Sequence, residues 1–121
     1  MWISIRTKRI DLSPRMRENI EAHILRVFQR EKRQIASAIV LVGPAEFSGD
    51  RVVFKCRIKL WSSYLGLIKV SDFGDTIRTA VQQASLRARH AARRRLHKRR
   101  SQRRRFSHSR LGMWLPGVSS E

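Results

Sequence analysis

Between Val52 and Leu60 the side chains alternate without a break: Val52, Phe54, Cys56, Ile58 and Leu60 are apolar, and Val53, Lys55, Arg57 and Lys59 stand between them. Successive side chains of a strand point to opposite sides of the backbone, so the segment Arg51 to Leu60 is predicted to be a strand. One face of it belongs to a core and the other carries positive charge. Cys56 then points inward beside Phe54 and Ile58, as a small buried hydrophobe rather than a nucleophile.

Similar signals place the other elements. Ile3 and Ile5 alternate with Trp2, Ser4 and Arg6, which predicts a strand from Trp2 to Arg6. After Ile10-Asp11-Leu12, the pair Ser13-Pro14 opens a helix: serine is a good N-cap, and proline loses no hydrogen bond in the first turn. Met16, Ile20, Ile24, Val27 and Phe28 form its apolar stripe, and it is expected to reach about Arg30. Ile35 to Val42, rich in β-branched residues and closed by Gly43-Pro44, is a second strand. Leu67 to Ser71 is a fourth, reached from the Arg51–Leu60 strand by a loop holding Trp61 and Tyr64.

The last helix is expected to start at Thr76 with Asp75 as its N-cap, where a negative charge suits the helix dipole. Ile77, Val81, Ala84, Ser85, Ala88, Ala91 and Ala92 share one face, small enough to lie close to a sheet. Arg87, Arg89, His90, Arg93, Arg94, His97 and Arg100 occupy the opposite face, so Arg87, Arg93 and Arg94 are expected to be removable without harm to the fold. Arg95 and Arg99 return to the inner face. Two unpaired arginines cannot be buried cheaply, so the helix should leave the sheet near Leu96. The domain is therefore drawn as residues 1–100, followed by a basic tail, 101–121, expected to be mobile, in which Trp114 stands between Met113 and Leu115. The fold class is α+β in the order β-α-β-β-β-α, a four-stranded sheet with two helices on one face.

Charge decides the partner. The chain of 121 residues holds 27 Lys or Arg against 9 Asp or Glu, a formal net charge of +18. Self-repulsion on that scale calls for a polyanion. From Thr76 to Ser120 there are thirteen basic residues and no acid, and arginine predominates, which favours bidentate contacts to phosphate and stacking on bases. A membrane-surface helix needs large apolar side chains on its other face, and here that face is mainly alanine and is needed for the sheet. Nucleic acid is the better match, and no membrane partner is expected.

Signs of chemistry are missing. The single Cys56 permits no internal disulfide, and no Cys or Cys-His spacing suits zinc. His90 and His97 are seven residues apart, roughly 10 Å along a helix, too far to share a metal. No glycine-rich phosphate loop is present, and Asp72 and Asp75 are better explained as a strand exit and a cap. The chain is read as a non-enzyme with no cofactor, no metal and no small-molecule substrate. The start Met1-Trp2-Ile3-Ser4-Ile5-Arg6 does not look secretory, and the longest apolar run, Ile35 to Val42, falls far short of the roughly 20 residues of a membrane span. A cytoplasmic location is expected.

The opening Ile3-Ser4-Ile5-Arg6-Thr7-Lys8-Arg9-Ile10-Asp11-Leu12-Ser13-Pro14-Arg15-Met16-Arg17-Glu18-Asn19-Ile20 closely resembles that of the bacterial hibernation-promoting factor family, also called the ribosome-associated inhibitor family. Ile77-Arg78-Thr79-Ala80-Val81-Gln82-Gln83-Ala84, behind Asp75, resembles its second signature. The likeness covers about residues 1–100. His23 stands where the family often has lysine, Val81-Gln82 replaces an Ile-Asp pair, and the C-terminal segment is richer in arginine. What the resemblance implies is the short form of the family, without the second domain that dimerises ribosomes. It implies a fold similar to the double-stranded RNA-binding domain, and docking on the small ribosomal subunit and its rRNA near the decoding channel. There the protein would block mRNA and tRNA in idle ribosomes. Arg87, Arg89, Arg93, Arg94 and Lys98 match places where family members carry Lys or Arg.

The candidate RNA contacts are thus Arg87, Arg89, His90, Arg93, Arg94, His97, Lys98 and Arg100, with Arg26 and Arg30 from the first helix. The strand face of Lys55, Arg57 and Lys59 is next in line. The protein is expected to be monomeric off the ribosome. The alternative is a general structured-RNA-binding module or a permanent ribosomal protein. Contact with about six to ten phosphates should make RNA affinity fall with salt at a log–log slope of about −5 to −8. A filter-binding titration checks this, and a slope shallower than about −2 would refute the electrostatic mechanism.

Overall fold

The computed structural model describes residues 1–45 and 52–112, with side chains placed up to 102. Its elements are β1 (Trp2–Thr7), α1 (Pro14–Val27), β2 (Ser37–Pro44), β3 (Phe54–Ser62), β4 (Gly66–Gly74) and α2 (Ile77–Gly112). The strands lie in the order β1-β2-β3-β4. β1 and β2 are parallel, joined by a crossover through α1, and the other two pairs are antiparallel. This is the predicted α+β arrangement in the predicted element order.

Burial follows the strand period. Ala38, Val40 and Val42 of β2, Cys56, Ile58 and Leu60 of β3, and Ile68 of β4 are buried on the face that meets the helices. Ile20, Ile24 and Phe28 from α1, with Ala80, Val81, Ala84, Ala88 and Ala92 from α2, close the core. Val52, assigned from sequence to the core face, precedes β3 and is 68% exposed, so the inward row begins later in the strand. Residue 51, the expected first residue of that strand, lies outside the described residues.

Several boundaries move, each for a local reason. The Ser13 hydroxyl accepts the Met16 N–H at 3.1 Å, the cap predicted from sequence. The helix stops at Val27, before Arg30, because Phe28 turns out of helical geometry at φ −100° and ψ 20°. Two tight turns follow, Glu31 N–H to Phe28 C=O and Gln34 N–H to Glu31 C=O, and they deliver Ile35 to the core. Trp61 belongs to β3, not to a loop. The connection to β4 is only Ser63 to Leu65, because the Ser62 hydroxyl accepts the N–H groups of Tyr64 and Leu65 and Gly66 supplies a φ of +79°.

At the start of α2 the cap is Thr76, not Asp75: its hydroxyl accepts the Thr79 N–H at 3.0 Å, and its carbonyl accepts the Ala80 N–H. At the other end the helix runs past Ser101, the expected start of the tail, and His97 to Arg100 on it are exposed. It continues to Gly112, 36 residues and about 54 Å. Arg95, expected to drive the helix away, instead has carbonyl partners, and the arginines, Lys98 and Gln102 beyond it are good helix formers that extend an existing nucleus. The segment around Trp114 lies outside the described residues.

Gly74 sets the approach of α2 to the sheet. A Cβ there would sit 2.4 Å from the Ala80 backbone nitrogen and 2.8 Å from the Thr79 carbonyl carbon. Both are backbone atoms of the first turn, which no rotamer change can move aside. Gly74→Ala should therefore destabilise the domain by about 1–3 kcal/mol. Thermal unfolding checks this, and an unchanged midpoint would show that the first turn of α2 can slide.

Candidate nucleic-acid interface

The arginines of α2 divide by neighbour. Toward β4, Arg87 Nη1 donates to the Ser71 carbonyl at 3.1 Å, and Arg95 Nη1 donates to the carbonyls of Leu65 and Leu67, both at 3.0 Å. β4 is an edge strand, and these bonds occupy carbonyls that would otherwise template pairing with another chain. Arg17 does the same for β1, donating to the Ile5 carbonyl at 2.9 Å. Arg87, read from sequence as pointing away from the sheet, thus leans over its edge.

Toward α1, the hydroxyl of the fully buried Ser85 donates to the Gln82 carbonyl at 3.0 Å and accepts from His23 Nε2 at 3.0 Å. That pairing places the His23 proton on Nε2, since a hydroxyl has one hydrogen to give. Burial holds the His23 pKa below its ordinary value, and the charges of Arg26 and Arg78 lower it further, so the neutral ring is the favoured form. Cys56 lies deeper still: burial, aided by the Asp72 carboxylate, pushes its thiol up to about 12, which leaves it unreactive at neutral pH.

Arg93 is not the free surface arginine that its helical position implies. Its Nε donates to Glu31 Oε1 at 2.6 Å, and Glu31 is 3% exposed. Arg89 is half-buried on the same side, and its Nε, Glu31 Oε2 and Gln34 Oε1 are buried with no hydrogen-bond partner among the described residues. His90, Arg94, His97, Lys98 and Arg100 are exposed, as are Arg26 and Arg30 on the α1 side.

Two clefts separate the helices. One, of about 270 Å³, brings together Arg30, Arg93, His97 and Arg100 around Glu31 and Gln34. The other, of about 400 Å³, is lined by Met16, Asn19, His23, Arg26, Arg78 and Gln82. The candidates Arg26, Arg30, His97 and Arg100 therefore border grooves between α1 and α2, whereas His90, Arg94 and Lys98 lie on exposed positions of α2 outside them. Arg78 was missed in the sequence. Its signal was its spacing from Gln82, Ser85, Arg89 and Arg93, a stripe adjacent to the alanines that faces a second helix rather than water. The cations Arg6, Lys8 and Lys69 on or beside the other face of the sheet were also missed. No helix among the described residues is long and apolar enough to cross a membrane.

Arg93→Ala would leave the Glu31 carboxylate buried without its charged partner. The expected loss is about 1–2 kcal/mol, below that of a fully buried pair because Arg93 is 43% exposed. Glu31→Gln in the same chain should restore part of it, and Arg94→Ala should leave stability within about 0.5 kcal/mol. Thermal melts compare the three; equal losses for Arg93→Ala and Arg94→Ala would show that the ion pair contributes nothing.

No family model matches the chain, and no curated protein sequence matches it. Solved structures do. The Protein Y N-terminal domain of Thermus thermophilus superposes with a TM-score of 0.62 at 17% identity, over 78% of this chain and 98% of its own. A ribosomal subunit interface protein from Coxiella burnetii superposes with a TM-score of 0.59 at 18% identity, over 78% of this chain and 96% of its own. At these identities the likeness speaks for the fold: this chain has the fold of these two proteins.

Proposed function

We propose that this chain is a ribosome-binding factor of the hibernation-promoting type, located in the cytoplasm. It docks as a monomer on small-subunit rRNA near the decoding channel and blocks mRNA and tRNA in idle ribosomes. It acts by occupancy rather than catalysis. The observation that carries this reading is α2: thirteen Lys or Arg without one acid, on a helix that the alanine face holds against the sheet. The fold shared with a ribosomal subunit interface protein and the resemblance at Ile3–Ile20 support the same assignment.

Roles within the site follow from what each arginine already does. Arg94, Lys98 and Arg100, with His90 and His97, present charge to solvent and carry the RNA contacts, joined by Arg26 and Arg30 across the clefts. Arg87 and Arg93 contribute field and residual donors while their bonds to the Ser71 carbonyl and Glu31 serve the fold, and half-buried Arg89 adds to the field. Phosphate contacts of this kind give affinity and orientation without reading sequence.

The test replaces Arg94, Lys98 and Arg100 with Ala together. The variant should keep its melting midpoint while its salt slope shrinks by about 1 per lost phosphate contact. It should also leave the small-subunit fraction on a sucrose gradient and stop inhibiting translation in vitro. Inhibition at the wild-type concentration would overturn the reading. Retained binding to any structured RNA, without preference for small subunits, would replace it with a general RNA-binding module.

A further inference from the structure

The face of the sheet turned away from the helices is not an ordinary solvated surface. Register places its residues in rows. Trp2, Ser37, Trp61 and Leu67 form one row across all four strands. Trp2 is 74% exposed, Trp61 51% and Leu67 46%. The next row is Ser4, Ile39, Lys59 and Lys69, and the one after it Arg6, Leu41, Arg57 and Ser71. At the far end, Lys8, Lys55 and Arg57 line a cavity of about 350 Å³ with Gly43, Pro44 and Phe73.

Two features of this face work against the isolated protein. Lys59 and Lys69 stand directly opposite each other on β3 and β4, and like charges so placed repel. Two tryptophans are left largely in water, although each offers a large apolar area. No open-face position of the four strands carries Asp or Glu to offset the repulsion, and the indole areas stay exposed among the described residues. A ligand that relieves both must bring negative charge repeated along its length and flat apolar groups beside it.

We propose that the open sheet face is a second nucleic-acid surface, one that takes single-stranded RNA. Bases stack on Trp2 and Trp61, and the backbone runs over Lys59, Lys69, Arg57 and Arg6. Ser37 keeps a small side chain between the two indoles, whose strands are about 10 Å apart, so each ring is open to a base. A duplex holds its bases stacked inside and offers these rings nothing, so the face discriminates for unpaired strands. Stacking on exposed aromatics beside a cationic groove is a general way of holding single strands with little sequence preference. The surface is separate from the α1–α2 clefts, which lie on the other side of the sheet, and its existence does not depend on the ribosomal reading.

The experiment titrates the full chain with a short fluorescein-labelled oligouridylate and with an RNA duplex, by anisotropy and by tryptophan fluorescence. The expected result is quenching by oligouridylate and a loss of about tenfold or more in its affinity for Trp2→Ala with Trp61→Ala. Trp2→Phe with Trp61→Phe should recover most of that loss, and Lys59→Glu with Lys69→Glu should weaken oligouridylate binding further. The Arg94, Lys98 and Arg100 alanine variant should retain quenching and aromatic-dependent oligouridylate binding. If that variant loses the ribosome but not the oligouridylate, both readings stand. If the tryptophan and lysine variants bind oligouridylate as wild type does, the sheet-face proposal fails, whatever happens on the gradient. It also fails if the tryptophans respond only to vesicles of phosphatidylserine and phosphatidylcholine, or to polyglutamate, and not to RNA.

Discussion

Four residues a turn apart on α2, Ala80, Ala84, Ala88 and Ala92, are fully buried, and each carries only a methyl group. A helix with such a face can bring its backbone close to the sheet, and the placement of the polar groups follows from that closeness. At this distance Arg87 and Arg95 reach the carbonyls of the β4 edge, Ser85 reaches His23, and Arg93 reaches Glu31. Larger side chains would lift the helix and lengthen each of these contacts beyond hydrogen-bonding range. Gly74 serves the same end, by letting the first turn of α2 fold back over the end of β4.

Cations do structural duty here. With 27 Lys or Arg and 9 acids, carboxylates cannot be the usual partner for arginine, and one ion pair is found among the described side chains. Backbone carbonyls take their place. A carbonyl at a sheet edge needs a donor in any case, and a guanidinium supplies one while keeping other N–H groups for a ligand. The arrangement blunts both sheet edges without using an acid. It leaves the net charge of +18 uncompensated, which would be tolerable on the proposed polyanionic partner.

On the reading advanced here, the two sides of the molecule differ in what they suit. The helix side offers phosphate-binding groups on rigid α2 and two clefts against α1, a shape for folded RNA. The sheet side combines indoles with rows of lysine and arginine, a surface for bases that are not paired. A protein held between such faces could contact folded and unpaired segments of the same RNA at once.

What the sequence determined by itself was whatever depends on periodicity and local capping. The alternation from Phe54 to Leu60, the stripe from Met16 to Phe28, the Ser13-Pro14 start and the alanine face of α2 yield the elements, their order and the core. Overall charge and its concentration beyond Thr76 pointed to a polyanion before any fold was drawn. The tertiary structure decided which cations are free. A helical position says that Arg93 faces away from the sheet but not that a buried Glu31, 62 residues earlier in the chain, waits on that side. Periodicity likewise marks Arg95 as misplaced, although hairpin carbonyls at Leu65 and Leu67 accept it. The row joining Trp2 to Trp61 exists only once parallel and antiparallel registers are both set. Local patterns fix where a side chain points along its own element; what it meets there depends on pairings between residues far apart in the chain.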